Sequence, residues 1–233
     1  MGQDISVKTI GALIISADEP QLERCLESVK NQTVPFSNIV HINNVSPEHV
    51  AFNKGLAMVT DELSMKIDGD MILYNNAVET TLKRIPEGNG NVYVHNFVLF
   101  DSIIQRNIRG CGVMVTPVFK KVPYPNLLCN DTWVGQKLRR MGFTIERYGD
   151  VIGTHCDSPD EFQLFRRFFI MGVKHGKRYS WKYLSGLYDQ TKDPMYELGM
   201  RAVEFGMKKA SYPTSHDINF DKKMFEEFKC ELQ

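Results

Sequence analysis

The sequence contains no long hydrophobic segment and no excess of charge of either sign. None of its apolar runs reaches the roughly 18 residues that predict a transmembrane helix. Lysine plus arginine and aspartate plus glutamate each number 28, so the formal net charge is zero. A balanced chain lacks the overall positive field that attracts nucleic acid, and we therefore expect no nucleic-acid partner. No secretory hydrophobic segment begins the sequence, so we expect a cytoplasmic protein.

Cysteine is scarce and irregularly spaced. The five cysteines form no Cys-x-x-Cys pair, and their odd number argues against a disulfide framework and against a structural zinc site. A reducing compartment fits this usage best. The sequence also contains no internal repeat and no low-complexity linker. Its 233 residues suffice for one substantial core but hardly for two full domains.

Short apolar runs and segments of helical periodicity alternate over the first third of the chain. The runs at 10–15, 38–43 and 63–67 are typical of buried strands, and a helical pattern follows each of them. This order predicts an open α/β sheet. In such sheets, ligands bind beyond the carboxyl ends of the strands.

The middle of the chain predicts an antiparallel extension of the sheet. Residues 91–100 and 112–116 are typical of strands, and the glycines within 108–112 indicate a loop with close backbone approach, or a bulge. A short strand near 143–147 and a loop at 153–157 are predicted next.

The remainder is predicted to be mostly helical. The predicted helices cover 130–141, a segment starting at Pro159, 194–210 and 222–231. We expect residues 1–157 to form one core of the catalytic type, and 158–233 to form a C-terminal helical extension.

The strand at 63–67 ends in Asp68-Gly69-Asp70. Two carboxylates one residue apart can converge where the chain turns, and glycine there permits unusual backbone angles. Such a pair suits a hard divalent cation that also binds substrate phosphates. The alternative is a solvated turn, because aspartate and glycine are common in turns. Asp18 and Asn44 follow the two preceding strands, which predicts that they share one crevice with these carboxylates.

Several features occur in the order found in the inverting glycosyltransferases of family 2, which have the GT-A fold. The segment Ile14–Thr33 resembles that family's first strand and helix. The other similar elements are the Asn-x-Gly element at Asn53-Lys54-Gly55, the D-x-D signature at Asp68-Gly69-Asp70, a glycine-containing loop at Gly110-Cys111-Gly112, an acidic pair at Asn130-Asp131 and a metal-ligand histidine at His155.

The resemblance implies a Rossmann-like mixed central sheet flanked by helices, with residues 1–157 as the nucleotide-sugar-binding and catalytic core and 158–233 completing the acceptor side. It also implies transfer of a sugar, with inversion, from a nucleotide-diphosphate-sugar donor to a hydroxyl acceptor. A divalent metal, Mn²⁺ or Mg²⁺, would be held by Asp70, Asp68 and His155, and histidine suits Mn²⁺ better. Asp131 would be the catalytic base. The residues expected to bind the nucleotide sugar are Ser16, Asp18, Asn44, Asn53, Asp68 and Gly112.

Two positions depart from the family pattern. The acidic residue usual after the second strand is replaced by Asn43-Asn44, whose amides can still hydrogen-bond a base edge. The acidic pair is Asn130-Asp131, which leaves Asp131 as the candidate base. Its competing role is to cap the helix that it begins, because a helix N-terminus stabilises a carboxylate.

Other residues also have structural alternatives. Ser16, Asp18 and Asn53 are candidate helix caps, and Asn44 is a candidate turn residue. Arg109 would contact the diphosphate or lie in a solvated loop.

The aromatic and basic residues of 162–182 fit a helix that packs its aromatic face on the sheet and turns its charges to water. Contact with an anionic or lipid-linked acceptor, or with a membrane surface, is the alternative.

Two other classes of protein are alternatives to a glycosyltransferase. A nucleotidyltransferase on a similar sheet usually has a glycine- and arginine-rich phosphate loop after its first strand, whereas this chain has Ser16-Ala17-Asp18-Glu19-Pro20. A non-catalytic nucleotide- or glycan-binding relative is the third possibility, and only an activity measurement distinguishes it. The favoured interpretation is a cytoplasmic enzyme, or one at the inner face of a membrane, that acts on a glycan or lipid-linked acceptor for a cell-surface glycan.

Overall fold

The computed structural model describes residues 8–88, 90–178, 181–209, 212 and 216–232. Within these ranges, seven strands form one mixed sheet. The strands are β1 (Ile10–Ser16), β2 (Ile39–Asn43), β3 (Leu63–Asp68), β4 (Met71–Leu73), β5 (Val92–Asp101), β6 (Arg106–Val115) and β7 (Thr144–His155). The helices are α1 (Leu22–Lys30), α2 (Glu48–Met58), α3 (Ala77–Arg84), α4 (Thr116–Phe119), α5 (Asn130–Arg140), α6 (Glu161–His175), α7 (Trp181–Thr191), α8 (Pro194–Lys208) and α9 (Ile218–Leu232).

Strand β1 lies between β2 and β3 and runs parallel to both. Every residue of β1 is buried, which explains its uninterrupted apolar sequence. The chain passes from β1 through α1 to β2 on one side, and then through α2 to β3 on the other side. This reversal leaves a crevice at the carboxyl end of β1, the usual ligand position in such sheets.

The second half of the sheet contains antiparallel pairs, as the sequence predicts. Strand order across the sheet is β2-β1-β3-β6-β5-β7-β4, with β6 antiparallel to both β3 and β5. Residues 108–112 lie within β6 and form no loop, but the predicted alternative of a bulge is confirmed, because the pairing of β5 with β6 skips Gly110. A side chain at Gly112 would approach Val94 to 3.0 Å and Asn96 to 3.2 Å. The glycine therefore permits close packing on β5.

Strand β7 is much longer than the short strand expected near 143–147. It has 12 residues and includes the first three residues of the segment 153–157 that was expected to be a loop, so His155 is its last residue. Its pairing with β5 contains register shifts, which break the alternation by which a strand is recognised in sequence. The short elements β4 and α4, and helix α7, were not predicted.

The described residues form two hydrophobic clusters. One surrounds the sheet and includes residues from Ile10 to Ile152. The other joins α6, α8 and α9 and contains stacked phenylalanines, among them Phe165 and Phe169. Helices α6 and α8 approach closely at Gly172, where a Cβ atom would lie 2.2 Å from the Val203 carbonyl oxygen. The aromatic face of α6 thus packs mainly on other helices, and the expectation that it packs on the sheet is wrong.

Within the described ranges, no helix is both long and apolar enough to cross a membrane.

Candidate active site

A cavity of about 490 Å³ opens at the carboxyl ends of β1 and β3. Its residues come from most of the chain, from the end of β1 to the start of α9. Its polar and charged lining residues are Ser16, Glu19, Ser46, Glu48, Asp68, Asp70, Arg109, Asp131, His155, Cys156, Gln163, Arg166, Arg167, Lys174 and His216. The cavity thus contains five of the nine predicted site residues: Ser16, Asp68, Asp70, Asp131 and His155.

The turn between β3 and β4 brings both carboxylates of Asp68-Gly69-Asp70 to the cavity. Gly69 does not have the positive φ that favours glycine. A Cβ atom there would instead lie 2.5 Å from Glu19 Oε2 and 2.9 Å from Ser16 Cβ. Glycine is needed for close approach to the end of β1, and the expected need for unusual backbone angles is wrong.

Asp70 has one carboxylate oxygen in contact with the end of β7 and one without a partner. The Cys156 thiol donates to Asp70 Oδ2 at 3.0 Å, and His155 Nε2 lies 3.5 Å from the same oxygen. Asp70 Oδ1 is buried and has no hydrogen-bond partner. Burial alone would raise the pKa of Asp70, but His155, Cys156 and Arg167 hold it below the usual value.

His155 is held in place by a buried carboxylate behind it. Its Nδ1 lies 3.0 Å from Oδ2 of Asp101, whose side chain is 0% exposed. Asp101 also accepts hydrogen bonds from the N–H groups of Ile103 and Ile104 and pairs with Arg167. Despite burial, His155 and Arg167 lower the pKa of Asp101 to about 2.

This carboxylate–histidine contact leaves Nε2 of His155 directed at Asp70. Metal-binding histidines commonly donate their second ring N–H to a carboxylate, which fixes the tautomer. Burial would lower the pKa of His155, but Asp70 and Asp101 raise it.

The residues present fit a divalent metal. Possible ligand atoms of Asp70, His155 and Cys156 all lie within 4.8 Å of one another. The partnerless oxygen of Asp70 supplies a further acceptor. A carboxylate and an imidazole together suit a first-row transition metal such as Mn²⁺.

Asp68 lies beside this cluster and is held by a lysine of its own strand. Lys66 Nζ is 3.3 Å from the Asp68 carboxylate, and Cys25 Sγ contacts the Asp68 carbonyl oxygen at 3.7 Å. Burial outweighs the attraction of Lys66 and raises the pKa of Asp68. Because Asp68 also lines the cavity, its carboxylate can accept hydrogen bonds from a ligand there.

Asp131 lies exposed in the first turn of α5 and lines the cavity. Its Oδ1 accepts a hydrogen bond from the Thr132 N–H at 2.7 Å. The neighbouring Asn130 is buried and donates to Glu48 at 3.0 Å. The local structure thus leaves one oxygen of Asp131 for a substrate.

Ser16, Asp18 and Asn44 surround the carboxyl ends of β1 and β2. The Ser16 hydroxyl donates to Asn43 Oδ1 at 2.8 Å. Asn44 Nδ2 donates to Asp18 Oδ1 at 2.7 Å, and both residues have positive φ. Ser16 lines the cavity, whereas Asp18 and Asn44 lie exposed outside its lining.

Asn53 and Gly112 are not brought to the cavity lining. Both polar atoms of the Asn53 amide bond the backbone of Tyr124, at 2.8 Å and 2.9 Å. This contact holds the segment before α5 against α2. Gly112 lies in β6 against β5.

Helix α6 turns a charged face to the cavity, so the expectation that the charges of 162–182 face water is wrong for Arg166, Arg167 and Lys174. Arg166 Nε donates to Asp221 at 2.8 Å, and Asp221 is fully buried. Burial would lower the pKa of Arg166, but Asp221 raises it. Both arginines therefore stay charged.

Lys174 Nζ lies 3.1 Å from His216 Nε2. Burial, together with Lys174 and Arg166, lowers the pKa of His216 well below its usual range, so this partner is uncharged.

The sequence did not single out several residues of this site. Glu19, Asp101 and Cys156 carry no motif of their own, although Cys156 adjoins the predicted ligand His155. Asp101 directly follows four apolar residues at the end of β5, and a charged residue at that place was the available signal.

No known protein-family profile matches this sequence, and no curated protein matches it either. Solved structures do match its fold. A mannosyltransferase, PcManGT from Pyrobaculum calidifontis in complex with GDP-Man and Mn²⁺, matches with a TM-score of 0.54 and 11% identity, over 88% of this chain and 76% of that one. TarS 1–349 of S. aureus, in complex with UDP, matches with a TM-score of 0.52 and 9% identity, over 85% and 80%.

At such low identity the likeness concerns the fold alone. Both matches extend over more than four fifths of this chain, so they cover most of the sheet and the helices around it. The chain therefore has a mixed α/β fold of the GT-A type, which confirms the fold class that the sequence predicts.

Proposed function

We propose that this chain is a metal-dependent glycosyltransferase that resembles family 2 and transfers a sugar from a nucleotide-diphosphate-sugar donor to a hydroxyl acceptor. One observation carries this proposal. Asp68, Asp70, Asp131 and His155 come from different elements and line one cavity at the carboxyl end of β1. Such convergence at the reversal point of an open sheet is typical of a nucleotide-binding active site.

Asp70 and His155 would hold the divalent metal, Mn²⁺ or Mg²⁺, with Asp68 beside it. When bound, the metal stabilises the negative charge that develops on the leaving diphosphate. Asp101 holds the His155 ring in its orientation through the 3.0 Å contact to Nδ1. Arg167 forms an ion pair with Asp101 and so balances the negative charge of that buried carboxylate.

Asp131 would take the proton of the acceptor hydroxyl as its oxygen attacks the anomeric carbon. Its carboxylate lines the cavity, and a general base must lie within hydrogen-bond reach of the proton. A single displacement of this kind inverts the configuration at that carbon.

The acceptor would enter along α6. Arg166 and Lys174 place positive charge on that side of the cavity, which suits an acceptor or donor that carries phosphate. We accordingly propose residues 1–157 as the catalytic core and 158–233 as the extension that completes the acceptor side. A glycan or lipid-linked acceptor at the inner face of a membrane is the proposed setting.

The nucleotidyltransferase alternative is less well supported. The segment after β1 presents Glu19 to the cavity, and the Glu19 carboxylate accepts a hydrogen bond from the Ala17 N–H at 2.6 Å. That N–H is consequently engaged by a carboxylate, whereas a phosphate loop needs free N–H groups for its anion.

Thermal unfolding with UDP, GDP and other nucleoside diphosphates, with and without Mn²⁺, tests the donor site. A ligand at 100 times its Kd stabilises the native state by about 2.7 kcal/mol. For a chain of this size we expect a rise in Tm of roughly 5–10 °C with one diphosphate, and only when Mn²⁺ is present.

The variant Asp131→Asn then separates binding from catalysis. It should keep the Mn²⁺-dependent rise in Tm but lose about 10²–10⁴-fold in kcat for sugar transfer. Asp160→Asn is the matched control, because Asp160 also begins a helix with its side chain bonded to a backbone N–H, outside the cavity lining. No Tm rise with any nucleoside diphosphate would refute the proposed function.

A further inference from the structure

Cys156 lies directly beside the two proposed metal ligands. Its Sγ is 3.0 Å from Asp70 Oδ2 and 3.7 Å from His155 Nε2, and those two atoms are 3.5 Å apart. Metal–ligand bonds of about 2.0–2.3 Å place neighbouring ligand atoms roughly 3–4 Å apart. The three atoms therefore already have the mutual spacing of one coordination sphere.

The backbone of Cys156 adopts a strained conformation in this position. Its φ is 52°, a left-handed conformation that is unusual for a residue with a side chain. Its N–H donates to the Asp70 carbonyl oxygen at 3.0 Å, so the two residues are tied together in main chain as well as in side chain. Such strain is often retained at functional sites.

Asp68 is a weaker candidate for the third ligand. Its carboxylate is paired with Lys66, and it is absent from the cluster of mutually close ligand atoms among the described residues. Cys156 belongs to that cluster, is buried and faces the cavity.

We propose that Cys156 is the third protein ligand of this metal site, together with Asp70 and His155, and that it selects thiophilic transition metals over Mg²⁺. The inference rests on the metal site of the proposed function. Binding would form a sulfur–metal bond, and the thiol proton, which Cys156 donates to Asp70 in a hydrogen bond, would leave to water. A thiolate favours Co²⁺, Zn²⁺ and Cd²⁺, whereas Mg²⁺ prefers oxygen ligands.

Absorption spectroscopy of the full chain titrated with Co²⁺ tests this assignment without a turnover assay. We expect visible bands from bound Co²⁺ and a near-ultraviolet charge-transfer band from a cobalt–thiolate bond. Cys156→Ser should keep the visible bands and lose the near-ultraviolet band. Its affinity for Co²⁺ and Cd²⁺ should fall by about tenfold or more, with a change below about twofold for Mg²⁺.

Cys230→Ser is the matched control, because Cys230 is an exposed cysteine outside the cavity lining. Its spectrum should be that of the unsubstituted protein. If Cys156→Ser does not fold, Asp70→Asn replaces it, since a thiolate in the same coordination sphere should lose its band together with the Asp70 ligand.

Two results would overturn the inference: bound Co²⁺ without a thiolate band, or no Co²⁺ binding at all. The outcome is separable from that of the proposed function. A thiolate band without nucleoside-diphosphate binding supports the metal site and refutes the glycosyltransferase. Mn²⁺-dependent nucleotide binding without a thiolate band supports the proposed function and refutes Cys156 as a ligand of its metal.

Discussion

The cavity has two sides of opposite chemistry. The strand wall consists of Ser16, Asp68, Asp70 and His155, which lie at the ends or turns of the sheet strands. The helix wall consists of Gln163, Arg166, Arg167 and Lys174, which share one face of α6. The strand wall offers carboxylates and imidazole, which suit a cation, whereas the helix wall offers guanidinium and ammonium groups, which suit an anion.

The two walls differ in how their charges are supported. On the strand wall, Asp70 keeps a buried oxygen without a partner. On the helix wall, each arginine is paired with a fully buried carboxylate, Arg167 with Asp101 and Arg166 with Asp221. The strand wall is thus prepared to receive a ligand, and two residues of the helix wall also hold the structure together. Substitutions on the strand wall should therefore impair ligand binding, whereas substitutions of the two arginines on the helix wall should lower stability.

The largest effect is expected on the strand wall, from Asp70→Asn. The amide keeps the volume and can still accept the Cys156 thiol hydrogen, so the fold should persist. The variant loses the anionic ligand, and kcat/KM for sugar transfer should fall by about 10³-fold or more, since a metal supplies several kcal/mol of charge stabilisation. Steady-state kinetics at several Mn²⁺ concentrations measure this fall in kcat/KM.

Asp150→Asn is the control for this substitution, because Asp150 pairs with the exposed Arg84 on the surface. Its kinetics should match the unsubstituted protein. Retention of more than a tenth of the activity in Asp70→Asn, with unchanged Mn²⁺ dependence, would show that Asp70 does not bind the metal.

On the helix wall, Arg167→Met should act first on stability. Removal of one partner of a buried ion pair leaves Asp101 uncompensated and typically costs about 3–5 kcal/mol. Urea denaturation should show a lower free energy of unfolding by roughly this amount. Arg201→Met, which breaks an exposed pair with Glu197, should cost less than about 1 kcal/mol. If the two variants lose equal free energy of unfolding, then the ion pair between Arg167 and Asp101 stabilises the fold no more than an exposed pair does.

The pH dependence of stability isolates Asp101 itself. Its pKa of about 2 lies below the ordinary 3.8, so its ionisation stabilises the fold at pH values above the ordinary pKa. That contribution, about 2 kcal/mol, is lost as the pH falls through about 2.

Asp101→Asn should therefore be less stable than the unsubstituted protein at pH 7. The difference should narrow as the pH falls below about 4. Chemical denaturation at several pH values between 7 and 3 measures this difference in the free energy of unfolding. A difference that stays constant over this range would assign the loss to shape or packing rather than to the charge of Asp101.

The strand wall was largely predictable from sequence because its signals are local. Buried strands show apolar runs, and polar residues that follow them must lie at one edge of the sheet. This reasoning placed Asp68 and Asp70 at the cavity, whereas Asp18 and Asn44, which it predicted in the same way, lie outside the lining. Ser16 and Asn53 were expected from the resemblance. Ser16 lines the cavity, but the Asn53 amide bonds the backbone of Tyr124, which the sequence does not show.

The helix wall was not predictable in the same way. The periodicity of α6 reveals an aromatic face and a charged face, but a charged face is ordinarily solvated. Whether it meets water or a cavity depends on Asp101 and Asp221, which lie 66 and 55 residues away in sequence from their arginine partners. Irregular pairing in β7 likewise concealed that His155 ends a strand.

The smallest expected effect comes from Lys174, the cation of the helix wall that is free to serve a substrate. Among the residues that the structure describes, it forms no ion pair with a carboxylate, and its neighbour His216 is uncharged. Lys174→Met should leave stability and kcat nearly unchanged. It should raise the KM of the substrate whose anionic group reaches α6 by about tenfold, or 1.4 kcal/mol.

The effect should be largest at low ionic strength, because salt screens a partly exposed charge. Lys177→Met is the matched control, since Lys177 lies one turn further on and pairs with Glu204 on the surface. Whether the KM of the donor or of the acceptor rises identifies the substrate that contacts the helix wall. If neither KM changes at low salt, then the helix wall is structural, and the strand wall alone binds the substrates.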